Sequence, residues 1–379
     1  MLVAGLTSGQ VVVLEPDTLQ KRRTFNVIKR DIGSESTPFI DRSIVSQNGR
    51  ILIRKNSHTS FGSWDLVTGI FIQHFDSYGF KLGEIGPISL SADGTQAATA
   101  HRSRTRGGDG HIAIWDIETG SLLHAVENYL KPPMDILFSP DGLFLICSDE
   151  GGECTELCLN GLKFSTRHIH TGQFDASPMS ALGWHPGSKY FLCGHHNGSI
   201  ITVESAGYDR ETSETTRIET PKCNFSFTHL GDMVDSLALS SDGLTLAVAG
   251  GRFWQDDDDT DETGNKGFVA IYENENKLPR WKRWVQSHVF SLSFSEGNNL
   301  LASGGVDGIC FLWDVSDGTI MKRMELGSSI ISISSVEDVE MKQKRQLAFA
   351  MGSNSRLGQD SILTDLPEDL FQKLLVLVV

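Results

Sequence analysis

The chain has 379 residues, with 33 Lys and Arg against 48 Asp and Glu and a formal net charge of −15. Its sequence pI is about 5.2. This balance argues against general affinity for nucleic acid or anionic membrane, because both need clustered cations that displace counterions.

Met1 is followed by Leu2-Val3-Ala4-Gly5 without a cationic segment or a long apolar core, and no later run approaches the ~20 apolar residues that span a bilayer. The expectation is a soluble, non-secreted, cytoplasmic chain. The first segments are a b-like strand at Leu2 to Gly5 and a c-like strand at Gln10 to Leu14. A repeat then emerges. An apolar run around Ile44 leads to the turn Asn48-Gly49 and closes on Trp64-Asp65; a second run passes Asp93-Gly94 and closes on Trp115-Asp116. The same turn chemistry returns at Asp141-Gly142, Pro186-Gly187, Asp242-Gly243 and Glu296-Gly297-Asn298, the last leading to Trp313-Asp314. Successive copies start roughly 45 or 55 residues apart, the spacing of four-stranded propeller blades.

The copy near the end shows its four strands best: a at Val289 to Phe294, b at Leu300 to Ser303, c at Ile309 to Asp314 and d at Ile320 to Met324. Val306-Asp307-Gly308 is its b–c turn, where Asp and Gly tolerate the left-handed backbone of a tight hairpin. Strands a can be placed around Ile44, Ile88, Met134, Met179, Val234, Val289 and Ile330, and strands c around Val13, Trp64, Trp115, Leu157, Val203, Ile271 and Trp313. Both series have seven members. A lone four-stranded sheet cannot bury both faces, whereas blades stacked around an axis bury them against each other. The prediction is an all-β, seven-bladed propeller of antiparallel blades over residues 1–351, with a tail at 352–379 in which Asp365-Leu-Pro367-Glu368 can start a helix. The ends are offset, so the N-terminal strands should pair with the C-terminal ones in one closing blade. Leu2 to Gly5 and Leu347 to Met351 both offer its strand b.

On these residues the chain resembles the WD40 family, strongly at 288–324, well at 85–126 and weakly around Cys154. Members of that family often link a His before strand a, a Ser on strand b, an Asp in the b–c turn and the Trp of strand c in a hydrogen-bonded tetrad. Ser303, Asp307 and Trp313 match those places, while Val285 stands where the His would be, so the resemblance implies a partial tetrad. Trp64, Asp65, Trp115, Asp116, Trp313 and Asp314 are accordingly read as repeat-packing residues, since such signatures report fold more than function. The family resemblance implies a non-enzymatic scaffold for protein–protein interaction, acting as a monomeric ring or as a subunit of a larger complex.

The side chains that could carry other chemistry are poorly spaced for it. Cys154, Cys158, His168, His170, Cys193, His195 and His196 lack the paired spacing of a zinc site, and the cysteines read as core thiols rather than disulfides. The run Asp256 to Glu262 lacks the Gly and Glu positions of a helix-flanked calcium loop. Neither metal nor cofactor is expected. A propeller enzyme with dispersed carboxylates and histidines around the channel is one alternative. Another is a ligase substrate receptor, because Leu366-Pro367-Glu368-Asp369-Leu370, Phe371 and Leu374-Leu375 resemble the start of an F-box, too short here and on the unusual side of the propeller.

Two b–c connections are longer than a hairpin needs: His101 to Gly110, carrying Arg102, Arg104 and Arg106, and Gly250 to Gly267, carrying Phe253, Trp254 and the acidic run. In propellers resembling WD40 these emerge on one rim together with d–a segments such as Asp76 to Gly83 and His168 to Pro178. Long loops on a rigid scaffold are where recognition usually resides. The expected partner-binding residues are therefore Arg102, Arg104, Arg106, Phe253 and Trp254, as forked donors and aromatic anchors.

Overall fold

A computed structural model describes residues 1–26, 43–80, 82–102, 110–128, 131–159, 165–170, 177–205, 232–251, 266–274, 276 and 278–336. Met1–Glu337 forms one compact unit. The strands follow in chain order as β1 (Leu2–Leu6), β2 (Gln10–Leu14), β3 (Lys21–Asn26), β4 (Ser43–Val45), β5 (Ile51–Lys55), β6 (Ser60–Asp65) and β7 (Phe71–Asp76). Next come β8 (Glu84–Leu90), β9 (Gln96–Arg102), β10 (Gly110–Asp116), β11 (Leu122–Asn128), β12 (Pro133–Phe138), β13 (Phe144–Asp149), β14 (Glu153–Cys158) and β15 (Ser165–His170). The last are β16 (Met179–Trp184), β17 (Tyr190–His195), β18 (Ile200–Glu204), β19 (Met233–Leu239), β20 (Thr245–Gly251), β21 (Gly267–Glu273), β22 (Trp281–Val285), β23 (Val289–Phe294), β24 (Leu300–Gly305), β25 (Ile309–Asp314), β26 (Ile320–Glu325) and β27 (Ile330–Ser335).

These strands make seven antiparallel sheets, one per predicted blade. Blade five shows β16, β17 and β18, and residues 206–231 that follow them lie outside the described residues. Blade one has the order β27-β1-β2-β3. Its strand b is therefore the N-terminal candidate, with Val3 opposite Ser334 and Ala4 opposite Ile333. The rival candidate, 347–351, the tail 352–379 with its F-box-like stretch, and the acidic run 256–262 lie outside the described residues.

Side-chain alternation explains why the ring holds. Along β2, Val12 and Leu14 face blade seven, where they join Ala302 and Leu312, while Val11 and Val13 face blade two and join Leu52 and Leu66. The same division recurs around the ring: each of seven core clusters is shared by two neighbouring blades. A strand with period two thus feeds two interfaces, and no blade has a core of its own. Arg54 marks the junction of blades one and two; fully buried, it donates to the Leu6 carbonyl at 2.8 Å and to Ser43 Oγ at 3.2 Å.

A β-bulge interrupts strand a in every blade but the second. The skipped residues are Ile331, Gly86 with Pro87, Met134, Ser180, Asp235 and Phe290. Bulges bend a strand and increase its twist, which suits the innermost strand of a blade. Just beyond the bulges of blades four, six and seven, side chains tie strand a to that of the next blade. Asp135 accepts from Leu182 N at 3.2 Å, Ser236 from Leu292 N at 3.2 Å and Ser291 from Ile333 N at 2.8 Å.

Candidate functional site

The propeller has two rims, built from different turns. On the a–b and c–d rim the turn side chains are engaged in the same way from blade to blade. Ser46, Ser91, Ser139 and Ser240 donate to the side-chain oxygens of Asn48, Asp93, Asp141 and Asp242, and accept from the backbone N–H five residues on. Gly49, Gly94, Gly142 and Gly243 supply the positive φ that these turns require, between 70° and 76°. Asp65, Asp116 and Asp314 close the c–d turns by accepting from Thr68, Thr119 and Ser316 N–H at 2.7, 2.7 and 2.8 Å. These bonds hold Asp116 below the usual carboxylate range, through the backbone and hydroxyl of Thr119, and Asp242 likewise, through Ser240 and the Leu244 N–H. The aspartates of the Trp-Asp pairs are thus turn caps.

The b–c and d–a rim is different. Among the described residues, seven buried side-chain nitrogen or oxygen atoms lack a hydrogen-bond partner. Six of them are here: Asn56 Oδ1, His101 Nδ1, Arg102 Nε, His195 Nε2, Ser199 Oγ and Asp235 Oδ2. Native structures leave few such groups, so a concentration on one face asks for a reason. Asp235 has His288 Nδ1 at 3.5 Å, an ion-pair distance without a hydrogen bond.

Blade three shows how this rim is assembled. Trp115 is fully buried and donates through Nε1 to Thr99 Oγ1 at 2.8 Å, and Thr99 Oγ1 lies 2.7 Å from His101 Nε2. Because Thr99 accepts from the indole, its hydroxyl proton goes to His101 Nε2, which leaves the ring proton on Nδ1. Burial pushes the His101 imidazole down to about 3. It is therefore neutral, with Nε2 as the acceptor. Blade seven builds the shorter version, with Trp313 Nε1 donating to Ser303 Oγ at 2.8 Å and Gly305 at the place of His101. Asp307 takes no part in it; its carboxylate accepts from Ile309 N–H at 3.0 Å and shapes the b–c turn. The expected partial tetrad is thus a Trp–Ser pair in blade seven and a Trp–Thr–His triad in blade three. Blade two lacks both, because Arg54 replaces the hydroxyl residue and Trp64 packs edge-on against Phe71 at 5.3 Å.

A 3-10 turn, Tyr78–Phe80, lies in the connection between blades two and three. Tyr78 is 63% exposed and Phe80 50%. The Phe80 ring meets Trp115 edge-on at 5.4 Å, which fixes its direction, and Ser77 Oγ donates to the Gly83 carbonyl at 3.1 Å, which ties the base of the connection. These aromatics were not singled out among the predicted site residues, although they lie in the d–a segment Asp76 to Gly83 assigned to this rim.

Of the predicted partner residues, Arg102 is the last residue of β9, opposite Glu84, and half-buried. It belongs to strand b rather than to the loop, because the backbone pairing extends one residue past His101. Likewise His168 to His170 lie in strand d rather than in the d–a connection. Arg104, Arg106, Phe253 and Trp254 lie outside the described residues. On the outer strand of blade six Trp281 is buried while Trp284 is 48% exposed, as their three-residue offset predicts. Lys282 Nζ lies 4.4 Å from the Phe268 ring centre, 4.5 Å from that of Trp284 and 2.7 Å from Asp232 Oδ2. Cys147, Cys154, Cys158, Cys193 and Cys310 are buried free thiols, with Cys154 raised well above the usual thiol range by its hydrogen bond with Cys193 and by burial.

The other rim also carries exposed apolar groups, chiefly Ile70, Phe71 and Ile72. Part of that exposure comes from the fold. A bulge opposite the Trp of strand c turns out Ile72, Leu123 and Met321 in blades two, three and seven alike.

The sequence profile described as WD domain, G-beta repeat matches residues 282–314. No curated protein matches the chain in sequence. Among solved structures, the β-propeller domain of Cps50 (Swd1) from Myceliophteria thermophila aligns with a TM-score of 0.56 and 14% identity, covering 78% of this chain and 89% of that one. A chain in the crystal structure of the mitotic checkpoint complex aligns with a TM-score of 0.48 and 18% identity, over 67% of this chain and 68% of that one. At 14% identity the likeness to the Cps50 domain is one of fold. With seven blades closed by β27 against β1, the chain is a seven-bladed β-propeller, and its residues 282–314, reaching from the end of blade six into blade seven, match the WD40 repeat.

Proposed function

We propose that the chain is a non-catalytic protein-interaction scaffold whose partner surface is the b–c and d–a rim. The observation that carries this reading is the gathering there of buried polar atoms without partners, beside the exposed Tyr78 and Phe80, while the turns of the opposite rim are saturated. Sites that break the rules of polar satisfaction are where function is expected. Propellers of this family commonly act as interaction scaffolds, which supports the reading. Arg102 at the end of β9, Arg104 and Arg106 between β9 and β10, and Phe253 and Trp254 between β20 and β21 complete the proposed surface. Free buried cysteines fit a reducing compartment such as the cytoplasm. The test is affinity capture from native lysate, quantified by mass spectrometry, comparing wild type with the Tyr78→Ala/Phe80→Ala double variant. Loss of a specific partner with an unchanged melting temperature is the expected result. The same partners at the same yield would refute the rim as the surface.

A further inference from the structure

Blade two, whose strand a has no bulge, is also joined to its neighbours by different bonds. At five of the seven seams between blades, a side chain on one strand a bonds to the backbone of the next. Ser89 accepts from Phe138 N–H at 3.2 Å, Asp135 from Leu182 N–H at 3.2 Å, and Ser180 donates to the Val234 carbonyl. Ser236 accepts from Leu292 N–H at 3.2 Å, and Ser291 and Ser293 accept from Ile333 and Ser335 N–H at 2.8 and 2.7 Å. The two seams where the described residues make no such bond are those on either side of blade two.

Cations take the place of these ties. Arg54 and Lys55 are adjacent on β5, so their side chains leave on opposite faces, one toward each neighbour. Arg54 donates to the Leu6 and Gln10 carbonyls of blade one at 2.8 and 3.4 Å, and Lys55 to the Ile85 carbonyl of blade three at 2.7 Å. Both are deeply buried, with 1% and 3% exposure. Contacts at turns do not set blade two apart. Asn48 donates to the Asp93 carbonyl and Arg23 to the Val67 carbonyl, much as Asn298 donates to Ser241 and Arg283 to the Asp317 carbonyl between blades six and seven.

The two kinds of bond respond differently when a seam opens. A neutral serine exchanges one hydrogen bond for another with water, whereas a buried guanidinium or ammonium recovers the hydration that closing the seam had removed. A blade released from its neighbours also loses its strand pairing, because the faces of blade two are covered only by the cores it shares with blades one and three. We infer that blade two is the weak point of the ring, opening by local unfolding under native conditions while blades four to seven stay closed. The inference is independent of the rim reading given above.

The test is native-state hydrogen exchange of the full-length chain, read by mass spectrometry. Amides of the inner strands β5 and β6 should exchange about tenfold faster than those of β13 and β14, of β20 and β21 and of β24 and β25, the inner strands of blades held by strand-a ties. A triple variant, Ser236→Ala/Ser291→Ala/Ser293→Ala, strips these ties from blade seven and should speed exchange in β24 and β25 by about tenfold. Should it fold poorly, Ser291→Ala alone gives the same reading, with an acceleration of about threefold. Protection of β5 and β6 as high as that of any of the other three pairs overturns the inference. So does exchange in β24 and β25 that stays at the wild-type rate in whichever of these variants melts cooperatively.

Discussion

The two rims of this propeller use their polar side chains in opposite ways. On the a–b and c–d rim, Ser91, Asp93, Ser240 and Asp242 close their own turns, and Asn48 reaches the neighbouring blade by donating to the Asp93 carbonyl at 2.9 Å. On the b–c and d–a rim, Asn56, His101 and His195 stand at strand ends with a polar atom that makes no hydrogen bond. One rim spends its hydrogen bonds on folding. The other leaves polar atoms at its strand ends available to a partner or to water.

The sharpest way to break the comparison is to remove what both rims share. Deleting residues 1–14 takes away strands b and c of the closing blade, exposes β27 and the face of β24 and β25, and should abolish cooperative melting. A cooperative melt close to wild type would show that the ring does not depend on its closure. Next in size is Thr99→Val, which leaves the Trp115 indole and His101 without their shared hydroxyl and should cost about 2 kcal/mol in denaturant unfolding. On the saturated rim, Asp242→Ala removes two accepted bonds from an exposed turn and should cost about 1 kcal/mol.

Acid sharpens the contrast further. Hydrogen bonds lower the Asp242 and Asp116 carboxyls, so their stabilisation is present above the unfolded aspartate value near 3.8 and fades as the pH falls through the lower folded value. His101 acts earlier. The unfolded imidazole takes up a proton near 6.5 while the folded one resists until about 3, so stability is full above 6.5 and declines as pH falls between those values. Melting curves of His101→Gln should be flatter over that window than those of wild type; identical slopes would contradict a neutral, buried His101. The smallest stability effect should come from Trp254→Ala, with an unchanged melting temperature and about 2 kcal/mol lost from partner binding by calorimetry. A large melting loss would recast Trp254 as a packing residue.

Sequence patterning made the scaffold legible because the same physics repeats. Seven strands a and seven strands c fall where their apolar alternation placed them, and Asn48-Gly49, Asp93-Gly94, Asp141-Gly142 and Asp242-Gly243 mark the turns through a backbone conformation that few residues adopt. Which end supplies strand b of blade one was not legible, since Leu2 to Gly5 and Leu347 to Met351 alternate equally well. Pairing with β27 is a long-range fact. The working rim was legible only in outline. Long connections pointed to it, but Thr99 in place of a serine, and a histidine arriving from strand b rather than from before strand a, form a triad that no linear spacing encodes. Arg102 also moved from loop to strand, because one more backbone pair with Glu84 is invisible in composition.

The division of labour between the rims can be tested directly by site-specific photo-crosslinking in cells. A photoreactive residue would replace Tyr78, on the proposed binding rim, or Ile70, which is equally exposed at 63% on the opposite rim of the same blade. The account predicts a discrete crosslinked partner from position 78 and none from position 70. A partner captured from position 70 alone would contradict it and place the binding surface on the apolar patch of Ile70, Phe71 and Ile72.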